Sequence, residues 1–208
     1  MYTIIDQEQW PRREIFDFFA TSKCPHYMVA GYIDVSRLLQ FKREHHLSFY
    51  LSLVYLTTQT VNAIDNFRMR IVEGKPVIYD KIHANFTHKR SDEELYHIYT
   101  ALFEGTLTEW VTRTSESIAQ QHQLFAGEPH MPNLVYCSCN PTVDATAMSN
   151  PNMADPDDAI PRINWGKYVQ RDGKWMVNVS VTPNHRFVDG YHVGLFFTHL
   201  QRLIDNLA

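Results

Sequence analysis

The chain has 208 residues, 44% hydrophobic and 13% aromatic, a composition that excludes intrinsic disorder and provides for one substantial core. Its net charge of -4 gives no electrostatic ground for a nucleic-acid partner. No basic segment leads into an apolar run at the N-terminus, no apolar stretch has membrane-spanning length, and no Gly/Ser-rich linker divides the chain, so a single soluble, cytoplasmic domain over 1–208 with no membrane partner is expected.

Trp10 to Phe19 opens with Pro11 at a first helical position and reads as a short helix with its aromatics turned inward. Tyr27 to Val35 is β-branched and aromatic enough for a strand. Asp34 or Ser36 then caps a helix from Ser36 to about His45, and Ser48 caps a longer, largely buried one from Phe49 to Ile64. Arg68 to Val72 and Pro76 to Tyr79 flank Glu73-Gly74-Lys75 as a hairpin. Ala84 to His88 and Leu95 to Leu102 form two more strands around the polar turn Lys89-Arg90-Ser91-Asp92.

From Thr108 to about Phe125 the spacing predicts a helix lying in solvent, and Leu134 to Cys139 a short strand. Asn140 to Pro161 holds four prolines and no periodicity, the length of a functional or lid-like loop. Ile163 to Gln170 and Trp175 to Thr182 are joined by Arg171-Asp172-Gly173-Lys174 as a second hairpin, with one face of the latter strand in the core and the other wet or facing a site. The closing helix carries Val193, Phe196, Phe197, Leu200, Leu203, Ile204 and Leu207 on one stripe. Strands and helices mix without strict alternation, so the expected fold is α+β, a two-layer sandwich of a mixed β-sheet covered by helices.

Nucleotide chemistry of the glycine-loop folds is excluded, since the 8 glycines form neither G-x-G-x-x-G nor a Walker sequence. The 11 histidines include no H-E-x-x-H and no carboxylate cluster at ligand spacing, so no metal is expected. Cys24, Cys137 and Cys139 are odd in number and read as small buried hydrophobes in a reducing compartment.

His185 stands apart by position. It follows a strand that ends at Pro183-Asn184, in a turn before a helix, where a rigid scaffold presents a side chain to a cleft. Asp189-Gly190 follows four residues on; the spacing is also satisfied by an ordinary turn with His185 on the surface.

Asn184-His185-Arg186-Phe187-Val188-Asp189-Gly190-Tyr191-His192 resembles the active-site signature of chloramphenicol acetyltransferases, two histidines, three residues, then Asp-Gly-aromatic-His. The resemblance runs along the chain: Trp10 to Phe19 is similar to a W-x-R-R-E-x-F opening, and Val61 to Arg70 to a V-N-x-x-D-x-x-R-M pattern. Phe86-Thr87 with Tyr96 ten residues later, Ser138 with Pro141, and Gly166-Lys167-Tyr168 fall in the same register. The shorter H-R-x-x-D-G also resembles the catalytic domain of dihydrolipoyl acyltransferases, a related fold.

The resemblance implies acetyl transfer from acetyl-CoA to a hydroxyl, with His185 as general base and Ser138 as hydrogen-bond donor to the oxyanion. It further implies a structural Asp189 paired with an arginine of the opening segment, Arg12 rather than its neighbour Arg13. Tyr50, Lys167 and Tyr168 match positions that contact CoA, and Tyr27, Tyr96, Thr142 and Met148 match the acceptor pocket. A homotrimer with active sites between subunits is the implied assembly, and antibiotic resistance the implied role.

The departures lie around the base and in the pocket. Asn184 replaces the first histidine and Arg186 a small residue, Thr142 a tryptophan, and Met148 and Asn150 an aromatic and an aliphatic. Ser48 stands in place of a CoA-binding lysine, and Asn164 of a threonine that helps hold an active-site water. These changes keep the catalytic residues and alter the acceptor pocket. Acyl transfer to chloramphenicol or a related alcohol is therefore expected, against the alternatives of a different acceptor (thiol, sugar or other alcohol) or a non-enzymatic binding protein.

Overall fold

The computed structural model describes residues 1–90, 93–126, 131–151 and 155–208. In chain order the elements are β1 (Tyr2–Ile4), α1 (Arg13–Ala20), β2 (Val29–Asp34), α2 (Ser36–Glu44), α3 (Phe49–Asn62), α4 (Asp65–Arg68), β3 (Met69–Val72), β4 (Lys75–Tyr79), β5 (His83–Lys89) and β6 (Tyr96–Ala101). They continue with α5 (Leu107–Ala119), β7 (Phe125–Ala126), β8 (Leu134–Cys139), β9 (Arg162–Trp165), β10 (Val169–Arg171), β11 (Lys174–Thr182) and α6 (Gly190–Asp205).

The main sheet runs β10-β11-β9-β8-β5-β6-β7, with β2 on the other edge of β11. It is mixed: β5–β8, β8–β9 and β6–β7 are parallel, the remaining pairs antiparallel. β1, β4 and β3 form a small second sheet, whose hairpin turns on Glu73 and Gly74, both at positive φ, the geometry of a primed two-residue turn. Together with the covering helices this is the α+β sandwich expected from the sequence.

α3 lies against β5 and β8, with α5, α6 and α2 packed beside it. Its sequence makes it a core helix: Leu51, Leu53, Val54, Leu56 and Val61 are all buried, and Ser48 caps the first turn by accepting from Leu51 N at 3.3 Å. α6 presents Val193, Phe196, Leu200 and Ile204 inward, and Phe197 covers Gly31, where an added Cβ would meet its ring at 3.1 Å. The opposite face of the sheet is polar and is covered in part by the irregular segment after β8.

Several expectations change. The opening helix begins at Arg13, since Pro11 and Arg12 form a turn. The helix expected to about Phe125 ends at Ala119, after which Gln121 turns back to bond Ile98 O within β6. The predicted strand Ile163 to Gln170 is broken into β9 and β10 at Gly166, where Val143 O crosses so closely that an added Cβ would lie 2.7 Å from it. Of the two outcomes open for the second face of β11, it is not wet: Val177, Val179 and Val181 are buried in the core, and Asn178 and Ser180 are buried on the other face, where Ser180 Oγ accepts from Met148 N. Cys137 is buried, but Cys24 is exposed, against the expectation of a small buried hydrophobe. Ser91 and Asp92 of the polar turn, and 152–154 of the long loop, lie outside the described residues.

Candidate active site

Strand alternation places a polar row across the face of the sheet away from the helices. Ser138 is in register with Asn164, and Asn164 with Ser180. Thr87 joins the row from β5, its Oγ1 lying 3.0 Å from Ser138 Oγ. A second row beside it contains Asn85, Tyr136, Arg162 and Thr182. Met148 N donates to Ser180 Oγ at 2.9 Å and Asn164 Nδ2 donates to Asn150 Oδ1, so the long loop is laced onto this surface. Asn164 Oδ1 and Thr182 Oγ1 are buried without a hydrogen-bond partner. Bonding capacity of that kind suits a polar ligand.

Two cavities adjoin the row. The smaller, about 380 Å³, is lined by Asn85, Thr87, Tyr136, Ser138, Asn150 and Arg162 among others. The larger, about 900 Å³, is lined by Tyr50, Thr87, His88, Lys167 and Tyr168 with aromatic neighbours such as Trp165. Thr87 lines both. Tyr50 ties the cavities together, its hydroxyl donating to Thr87 O at 2.6 Å. Burial pushes the Tyr50 hydroxyl well above its ordinary pKa, so it remains a donor at neutral pH.

His185 stands elsewhere, lining neither cavity. Its ring stacks on Phe19 at 4.2 Å and packs against Tyr27 at 4.5 Å. Nδ1 is enclosed without a hydrogen-bond partner, and Nε2 is the nitrogen left open. Burial, then the charge of Asp189, push the Tyr27 hydroxyl up to about 12 against the opposing charge of Arg12, so Tyr27 is neutral beside the ring.

One arginine reads the whole turn. Arg12 Nη2 donates to His185 O at 3.1 Å, Nε to Arg186 O at 2.9 Å, and Nη1 to Asp189 Oδ2 at 2.8 Å. Arg13 pairs instead with Asp17. Burial alone would raise the Asp189 carboxyl, but the Arg12 hydrogen bond and the charges of His192 and Arg12 hold it below its ordinary value. Asp189 also starts α6, its N–H donating to His192 Nδ1 at 3.2 Å.

The two departures beside the base anchor the long loop. Asn184 Nδ2 donates to Pro156 O at 2.9 Å and Asp158 O at 3.0 Å. Arg186 Nη1 donates to Asp157 Oδ1 at 2.6 Å, and its guanidinium lies 3.8 Å over the Phe16 ring. Burial pulls the Arg186 pKa down, with the Asp157 charge opposing. A large cation after the base therefore points away from it, into a clamp on residues 156–158.

Of the other residues singled out from sequence, Tyr50, Lys167 and Tyr168 share the larger cavity, and so does Tyr96, which does not line the smaller one. Thr142 is exposed with its Oγ1 donating to Asn140 Oδ1, and lines neither cavity; Met148 lines neither as well. Thr87 and His88 were missed as site residues. Only the alternation of β5 beside the Phe86-Thr87 motif signals them. Among the described residues no group of side chains is arranged to hold a metal, and no helix is long and apolar enough to cross a membrane.

A family model described as chloramphenicol acetyltransferase matches residues 1–201. A chloramphenicol acetyltransferase of Proteus mirabilis is 26% identical over 205 residues, covering 97% of this chain and 94% of that protein. A solved chloramphenicol acetyltransferase superposes with a TM-score of 0.89 at 23% identity, covering 98% of this chain and 100% of the other. A probable dihydrolipoamide acetyltransferase from Listeria monocytogenes superposes with a TM-score of 0.67 at 14% identity, covering 99% and 97%.

Proposed function

The chain belongs to the chloramphenicol acetyltransferase family and is an acyltransferase, and we propose that it transfers acetyl from acetyl-CoA to a hydroxyl of chloramphenicol or a related small molecule. The observation that carries this reading is the meeting of two cavities at Thr87, whose hydroxyl lies beside that of Ser138 in the smaller one. A large aromatic cavity with Lys167 at its rim suits an adenine nucleotide thioester. The smaller polar one suits an acceptor, and the hydroxyl pair between them suits a developing oxyanion.

In the reaction so read, the open Nε2 of His185 takes the proton of the acceptor hydroxyl as that oxygen attacks the acetyl carbon. Ser138 Oγ–H donates to the resulting oxyanion. The carbon–sulfur bond then breaks, and the departing thiolate of CoA takes the proton from His185. General base catalysis supplies about 10²–10⁴-fold and an oxyanion donor about 2.7–4 kcal/mol of barrier. Arg12 and Asp189 fix the base without touching substrate.

His185 lies apart from Ser138 within one chain, which supports a homotrimer in which the base of one subunit faces the cavities of the next. A CoA-dependent reaction suits the cytoplasm, where acetylation of the antibiotic would confer resistance. A second reading, transfer to a more polar acceptor such as a sugar, is favoured by Asn85, Asn150 and Arg162, which line the smaller cavity.

Release of CoA thiol is the test. Purified protein with acetyl-CoA and a panel of chloramphenicol, sugars and simple alcohols is expected to release one thiol per acetylated acceptor, and the release to vanish in His185→Ala. Absence of turnover across the panel would overturn the enzymatic reading.

A further inference from the structure

His88 follows Thr87 and lines the larger cavity from the helix-facing side of β5. Its protonation is settled by counting donors. Gln121 uses its amide nitrogen to donate to Ile98 O at 3.0 Å and to Gln123 O at 2.6 Å. Gln121 Oε1 can only accept, and it lies 2.9 Å from His88 Nε2. The imidazole proton therefore sits on Nε2, and the lone pair on Nδ1.

Among the described residues nothing occupies that lone pair. His97, with its ring 5.4 Å away, has its nitrogens engaged by Gln123 O and Glu93, Lys89 Nζ donates to Arg90 O, and Phe86 offers only its ring. Nδ1 is not among the enclosed, unpartnered atoms, and the side chain that carries it lines the larger cavity. Burial pushes the His88 pKa down; the Gln121 hydrogen bond and Glu93 oppose this, and the charges of His97 and Arg90 reinforce it. The ring is a neutral acceptor at pH 7.

We propose that His88 binds the pantetheine arm of coenzyme A, accepting on Nδ1 a hydrogen bond from the amide N–H nearest the thioester. His88 and Thr87 both line the larger cavity, one position apart on β5, and Thr87 marks where the cavities meet and the acetyl carbon must lie. That end of the molecule is therefore nearer to His88 than the phosphates, for which Lys167 stands at the rim. The inference rests on reading the larger cavity as the coenzyme A site, and it gives the cavity a polar anchor other than the lysine that Ser48 replaces.

The experiment is calorimetric titration of the full chain and of His88→Phe with CoA, pantetheine and adenosine 3′,5′-bisphosphate, beside ¹⁵N spectra of the histidine rings. The variant is expected to lose about 3- to 10-fold in affinity for CoA and pantetheine, the worth of one hydrogen bond. Binding of the bisphosphate is expected to be unchanged, which also reports an intact fold. In the wild-type protein the His88 Nδ1 resonance is expected to move with CoA and to stay with the bisphosphate.

Equal CoA affinity in both proteins, or an Nδ1 resonance that CoA does not move, overturns the role of His88 alone. Wild-type protein that binds none of the three ligands overturns the reading of the cavity and this inference with it. Should His88→Phe lose all three, the wild-type resonance decides.

Discussion

Thr87 Oγ1 lies 3.0 Å from Ser138 Oγ, on the one polar row that both cavities reach. If Ser138 spends its hydrogen on an oxyanion, its own oxygen is free to accept from Thr87, which would orient and polarise it. Ser138→Ala is then expected to lower kcat by about 10²–10³-fold with KM for acetyl-CoA little changed, the usual cost of losing such a donor. Thr87→Val, which keeps shape and removes the hydroxyl, is expected to lower kcat about tenfold, with Thr87→Ser restoring most of it; a hydrogen bond of this kind is worth about 0.5–1.5 kcal/mol. A Thr87→Val enzyme with unaltered kcat would show that the pair is merely structural.

His185→Gln, close in size and without a basic nitrogen, is expected to lower kcat by about 10²–10⁴-fold while CoA binding survives, because the ring lines neither cavity within its own chain. Mixing His185→Gln protein with Ser138→Ala protein is the sharper measurement. Sites shared between subunits would regain activity in mixed oligomers, whereas sites contained in one chain would not.

Arg12 and Asp189 hold the base turn, and their removal is expected to be felt in stability first. Arg12→Met breaks three hydrogen bonds, to His185 O, Arg186 O and Asp189. Because 37% of the Asp189 side chain is exposed, the stranded carboxylate finds water. The expected loss is about 1–3 kcal/mol, below that of a fully buried pair. The pH dependence has a definite sign. Asp189 is held below its ordinary pKa, so its stabilisation is complete above the unfolded-state value of about 3.9 and is lost as pH falls through the folded value. Acid unfolding followed by circular dichroism should therefore begin at higher pH in Arg12→Met than in the wild type.

Which parts of this arrangement were legible follows from how local they are. The base turn is a contiguous motif, and its partner Arg12 lies in another, so register alone selected it over Arg13. α3 and α6 showed their buried stripes directly. The meeting of the cavities was not legible, because it depends on β5 and β8 pairing in parallel across some fifty residues, which no local pattern encodes. Tyr96 shows the same limit: an aromatic side chain assigned to the acceptor side lies in the larger cavity. β1 was missed because three exposed residues on a sheet edge carry no burial pattern.

Arg186 departs from the family pattern right beside the base, and the structure turns it outward onto Asp157 and the Phe16 ring. Arg186→Ala is expected to cost about 1–3 kcal/mol from the lost ring contact and hydrogen bonds. Its main effect should be local, since Asp157 is exposed enough to do without its partner. Hydrogen exchange over residues 155–161 is expected to quicken in the variant while α3 and β11 stay protected. Uniform loss of protection would mean that the clamp supports the core as well as the loop.

Gly166 breaks the strand that carries Lys167 and Tyr168 into the larger cavity. An added methyl would sit 2.7 Å from Val143 O and 3.0 Å from Ala145 N, both backbone atoms, so neither can rotate aside. Gly166→Ala must therefore push the 143–145 segment away or bend the break itself, and Lys167 N, which donates to Val143 O at 2.7 Å, moves with either. Overpacking of this kind costs about 1–3 kcal/mol. The expected result is a lower Tm and a raised KM for acetyl-CoA, with kcat at saturation changed less, because the added methyl meets the 143–145 segment, while Ser138 and Thr87 are held by the β5–β8–β9 pairing, which ends before Gly166. A fall in kcat with KM unchanged would instead place the break in control of the reacting groups.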